Sequence, residues 1–338
     1  MKIRITSLFL ATLIAVSSTG CSIKESNNFT NVTESSYEQV IDKNDLQSRM
    51  IAFIETIEKS DLGIDLSYFY NNASTLQIVI DENKEIYYTS FYDKDQNAIV
   101  ININETGAFE HELVHVIFNN GKELENVFLE EGFTELLTSE ICDTSNSYRF
   151  NVGVCKILTT LLGKDKMVEV FNKKDLTIVT EGLANIVPEV SDAVEFMEYA
   201  DYEHYLCNKL HEEYFIEGNL IEFKKSDDFI SLKNVRNDLV GRLKIYIKAY
   251  YSDLIKQDDI DVNKTLIEML ALLNIVNVDL FDADIESEQQ NDFFLKDEVA
   301  YLVETYQIDN DTYDKCYQDS KDMKFLFINN TEKKIKKK

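Results

Sequence analysis

Basic residues, proline, glycine and histidine are all scarce in this chain of 338 residues, and each shortage narrows what the chain can be. Lysine and arginine total 34 against 61 aspartates and glutamates, a formal net charge of −27. That balance argues against nucleic acid as a partner and favours cationic substrates through electrostatic steering. With one proline and ten glycines there is little to break helices. In the second half the clear breakers are Gly163, Pro188 and Gly218. There is no internal repeat. Beyond Cys21 the cysteines are Cys142, Cys155, Cys207 and Cys316, and no zinc spacing joins them. Four cysteines allow three disulfide pairings in an oxidising compartment, but free buried thiols are the expectation.

Histidine is the rarest of the titratable residues, with four in all, and two of them fall in His111-Glu112-Leu113-Val114-His115. On a helix, side chains four apart stand one above the other, so His111 and His115 present two imidazoles to one point. Imidazole nitrogen suits Zn²⁺, which in catalytic sites takes three protein ligands and keeps a fourth position for water. Sixteen residues after His115, within Leu129-Glu130-Glu131-Gly132-Phe133-Thr134-Glu135, Glu131 can be the third ligand, with Glu130 and Glu135 as competitors. Glu112 lies about 100° round the helix from His111, within reach of a metal-bound water, and is the candidate general base. Zinc lowers the pKa of that water to about 7. Glu135, one turn beyond Glu131, can accept the second ring N–H of a liganding histidine and fix its tautomer.

These residues resemble the gluzincin zinc metallopeptidases, whose mark is HExxH on one helix and a ligand glutamate on the next. The likeness covers residues 97–141. Glu131-Gly132-Phe133 resembles the Asn-Glu-Gly-Phe segment of the aminopeptidase branch, with Glu130 where that branch has asparagine. The resemblance implies a zincin-like catalytic domain, hydrolysis of peptide bonds and one zinc per chain. Peptide as substrate comes from the resemblance; the residues by themselves show metal-activated water.

Around the motif, 74–80 (STLQIVI) and 85–92 (EIYYTSFY) are rich in β-branched and aromatic residues and read as a hairpin across Asp81-Glu82-Asn83-Lys84. A third strand is expected over 98–103 (AIVINI), where the resemblance implies the lip of a cleft that pairs with extended substrate. Thr106 is the expected N-cap of a helix over 107–118, stopped by Asn119-Asn120-Gly121. A second helix over 122–141 carries Glu131, and Gly132 beside it suits either a close approach of the two site helices or a tolerated irregularity. Upstream, 46–57 has helical spacing and should pack on the sheet.

Residues 1–20 read as a bacterial lipoprotein signal: Lys2 and Arg4, an apolar core over 8–16, then Ser18-Thr19-Gly20-Cys21. Cys21 is the expected cleavage and lipidation point, with Ser18 in a position where leucine is usual. Acylation there anchors the chain outside the cytoplasmic membrane, since each buried CH₂ contributes about 0.8 kcal/mol. Loss of Lys2 and Arg4 with the signal moves the net charge from −27 to −29. Residues 21–43 are polar and fit a tether. Residues 333–338, rich in lysine, form a solvated basic tail, with contact to anionic lipid as the lesser reading.

The fold class expected is α+β: a zincin-like domain over 44–175, with a small sheet, an active-site helix and a glutamate helix, then a mostly α-helical domain over 176–332. Helical patterning covers 154–171, 190–215, 229–255, 262–273 and 293–306. His204 and His211, seven apart, are either packed or surface histidines, a second metal pair, or in the case of His204 an oxyanion donor. Residues 259–263 (DIDVN) open like a calcium loop, but Lys264 and Leu270 replace the glycine and glutamate it requires, which rules it out. The rival to a peptidase is a non-catalytic lipoprotein that binds a ligand or partner through its helical half, with a vestigial or structural metal site.

Overall fold

A computed structural model describes residues 43–60, 62–81, 90–102, 108–142, 148–188, 193–210, 226–257, 259–280 and 295–323. The signal segment, Cys21, most of the tether, Thr106, His211 and the basic tail lie outside the described residues. The fold is mostly helical with a three-stranded mixed sheet near its N-terminal end, an α+β composition. It divides into two compact units after Gly121, within the span 44–175 read from sequence as one domain.

In the first unit, helix α1 (Lys43–Lys59) buries Leu46, Phe53, Ile54 and Ile57 along one stripe, as its periodicity predicts. Helix α2 (Ser67–Asn72) adds Phe69 to the core. The strands are β1 (Gln77–Asp81), β2 (Phe91–Asp93) and β3 (Ala98–Asn102), in the order β1-β3-β2. This corrects two expectations. The described strands β1 and β2 do not pair with each other; β3 lies between them, parallel to β1 and antiparallel to β2. The tight turn instead joins β2 to β3, where Asp93 Oδ1 accepts from the amides of Asp95 and Gln96, each at 3.0 Å. Asn97 then takes a left-handed φ of +48°, a conformation asparagine tolerates. Nor can β3 be the lip that pairs with substrate, because both its edges are already occupied. Ala98, Ile99 and Ile101 are all buried, the continuous apolar run of a central strand.

Helix α3 (Phe109–Ile117) packs on α1, α2, β2 and β3 through Phe109, Leu113, Val116 and Ile117. Its N-cap position is Ala108, with no side-chain cap.

The second unit opens with α4 (Val127–Cys142), which starts five residues later than expected. Asn126 sets the start: its Oδ1 accepts from Leu129 N at 2.9 Å, and its Nδ2 donates to Met197 O at 2.9 Å. The single helix expected over 154–171 is two, α5 (Arg149–Leu162) and α6 (Lys164–Lys173), parted at Gly163, whose φ of +96° is costly for other residues. There follow α7 (Thr177–Ile186), α8 (Ala193–Leu210), α9 (Asp227–Leu254) and α10 (Val262–Asn274), the last running into a π-helical turn over Ile275–Leu280. Asp261, the would-be calcium ligand, caps α10 by accepting from Lys264 N. Helices α11 (Ala300–Thr305) and α12 (Asn310–Lys321) complete the described chain. Helix α4 packs on α5 and α8, α9 on α8, and α12 on α10. Phe133 and Phe171 stack at 3.8 Å between centroids, and Phe196 meets Tyr246 edge-on. No helix among the described residues is long and apolar enough to cross a membrane.

Candidate metal centre

One turn of α3 carries His111 and His115, and their Nε2 atoms stand 3.3 Å apart, with ring centroids at 5.1 Å and planes at 68°. His111 is buried and His115 half-buried. The helix is held from its first turn. Arg49 of α1 donates from Nε to Glu110 Oε1 at 2.6 Å and from its Nη2 to Oε2, while its guanidinium lies over the Phe109 ring. Such a two-pronged grip on the residue before His111 limits how α3 can roll. Glu112, between the histidines, is 7 % exposed.

The third member comes from α4. Ligand atoms of His111, His115 and Glu131 all lie within 4.8 Å of one another, and among the described residues this is the group of three that can hold a metal ion. Its neighbour Glu130 is committed elsewhere: Lys174 Nζ lies 3.0 Å from Glu130 Oε1, with the lysine side chain 2 % exposed. Glu135 is buried one turn beyond Glu131.

Gly132 allows a close approach to α5. A Cβ there would stand 2.8 Å from Asn151 O and 2.9 Å from Asn151 Cβ. Asn151 ties the same helices together, its Nδ2 donating to Phe128 O at 3.1 Å.

His204 is a packed histidine of α8, buried, with Asn208 Nδ2 2.9 Å from its Nε2 and Asn151 Nδ2 3.5 Å from its Nδ1. Neighbouring Glu203, 1 % exposed, accepts from Arg236 Nε at 2.7 Å and from the Cys207 thiol at 3.2 Å. All four described cysteines are free. Burial pushes the Cys155 thiol far up, and burial followed by the nearby Glu203 charge pushes Cys207 up to about 12. Among the described residues no cysteine belongs to a group that can hold a metal ion.

Arg49, Asn126, Asn151 and Lys174 support these helices, and each acts on a partner 23 to 71 residues away. Of these, Asn126 alone leaves a local trace, a capping residue at the head of an apolar run.

No family model, curated protein or solved structure matches this chain. The metal centre therefore rests on its own geometry.

Proposed function

We propose that the chain is a zinc-dependent peptidase with a zincin-like site, and that His111, His115 and Glu131 hold the ion. The observation that carries this is the 3.3 Å separation of the two Nε2 atoms. In a tetrahedron with Zn–N bonds of about 2.0–2.1 Å, two ligand nitrogens stand about 3.3–3.4 Å apart. Two neutral imidazoles and one carboxylate are also the donor set that suits zinc in sites that keep a position for water.

When bound there, zinc would acidify a water molecule and polarise the substrate carbonyl. The chain's own contribution is to position and move protons. Glu112, buried beside the first histidine, takes a proton from the attacking water and returns it to the leaving amine nitrogen. Glu135 orients a histidine ring. The Arg49–Glu110 grip keeps α3 from turning its ligands away. With acylation at Cys21, the site works outside the cytoplasmic membrane on peptide or protein substrates.

The test is digestion of a peptide library with and without chelator, beside the Glu112→Gln variant. Cleavage that chelator and Glu112→Gln both abolish supports the reading. Equal cleavage by Glu112→Gln refutes it, and a chain that cleaves nothing favours a non-catalytic lipoprotein.

A further inference from the structure

Helix α8 turns Val194, Glu198, Tyr202 and Tyr205 to solvent along one stripe, at the spacing of a single helix face. Tyr202 and Tyr205 are 45 % and 59 % exposed, yet their rings stack, with centroids 6.2 Å apart and planes 15° apart. They therefore present one broad aromatic ledge rather than two loose side chains. Asp201, on the same turn, accepts from Val127 N at 3.0 Å, which sets the head of α4 beside this ledge. Val127 is itself 46 % exposed. Four residues along α4 from Val127, about 6 Å up the axis and on the same side, is Glu131.

We propose that Tyr202, Tyr205, Glu198 and Val127 form a subsite for a lysine or arginine side chain of the polypeptide substrate, making the centre selective for cationic chains. The inference rests on the peptidase reading and names its substrate class. The faces of the stacked rings attract a cation, and Glu198, exposed one turn before Tyr202, adds a full negative charge. The stem of a long basic side chain covers Val127 while its head meets the rings and the carboxylate. An apolar occupant would bury Glu198 without a partner, which is costly. At long range the net charge of −27 gathers cationic chains and repels acidic ones.

The test uses the full chain carrying Glu112→Gln, in zinc-containing buffer, with fluorescent peptides of equal length that are lysine-rich, neutral or glutamate-rich. Anisotropy is expected to show the lysine-rich peptide bound at least tenfold more tightly than the glutamate-rich one. Tyr202→Ser/Tyr205→Ser should weaken that peptide about fivefold or more, from the loss of two exposed cation–π contacts. Neutral-peptide affinity and the melting temperature should not move, because both rings are on the surface. Equal binding of all three peptides, or unchanged lysine-peptide affinity in the double variant, overturns the subsite. Binding as described, with no cleavage of any peptide by the unaltered chain, upholds the subsite and refutes the peptidase reading instead.

Discussion

Lys174 Nζ meets Glu130 Oε1 at 3.0 Å, so of two adjacent glutamates on α4 one is held in an ion pair while the next belongs to the metal group. The substitutions should therefore separate. Glu131→Gln should weaken zinc binding by more than the roughly 10–100-fold that loss of a supporting contact costs. Glu130→Gln should leave affinity near that of the unaltered chain and reduce stability by about 1–3 kcal/mol, since it weakens the hold on a buried ammonium group. Zinc titration and urea denaturation of both variants check this.

Glu112 sits between His111 and His115 without belonging to the group that can hold a metal ion. Glu112→Gln keeps the shape of the side chain and removes its basicity. It should retain the metal and lower kcat by about 10²–10⁴-fold, the usual contribution of a positioned acid–base group. Turnover assayed at matched zinc content is the check.

Gly132→Ala improves helix propensity by about 1 kcal/mol and so would stabilise an open helix. Here the added methyl meets the Asn151 backbone oxygen at 2.8 Å. The net effect should be a loss of about 1–3 kcal/mol, as for overpacked cores. A variant as stable as the parent in urea would show that α4 and α5 can move apart at no cost.

Glu298 sits between Lys244, at 3.2 Å, and Lys248. Burial alone would raise its pKa, but hydrogen bonds and charge from the two lysines outweigh burial and hold it below the ordinary 4.5. A depressed folded-state pKa contributes stability above the unfolded value and loses it as pH falls through the folded one. Glu298→Gln should thus be less stable than the parent at neutral pH, by about 1 kcal/mol for a half-buried pair near the surface. The gap should close as pH drops below 4.5. Chemical denaturation across that range measures it.

The histidine helix was legible because one turn of helix brings His111 and His115 together by local geometry alone. Long helices such as α1, α9 and α10 were legible from apolar periodicity. Strand order was not: pairing is a long-range choice, and the apolar run Ala98–Ile101 suits either an ordinary sheet strand or the lip of a cleft until both its neighbours are known. Helix α12 lies in the stretch expected to be helical but carries a faint apolar signal, because it is largely polar. Its signals are Asp309, which accepts from Thr312 N at 2.7 Å, and a thin stripe of Tyr313, Cys316 and Tyr317. At the metal centre the sequence left Glu130, Glu131 and Glu135 in competition. Placement beside the two histidines picks out Glu131, while Lys174, 44 residues from Glu130, holds the other.

Zinc content per chain decides whether His111, His115 and Glu131 hold the ion, measured by elemental analysis on protein purified without added metal, alongside His111→Ala/His115→Ala. One zinc per unaltered chain and none in the double variant is the expected result. An unaltered chain devoid of zinc, or a double variant that keeps it, would show that these three side chains do not hold the ion.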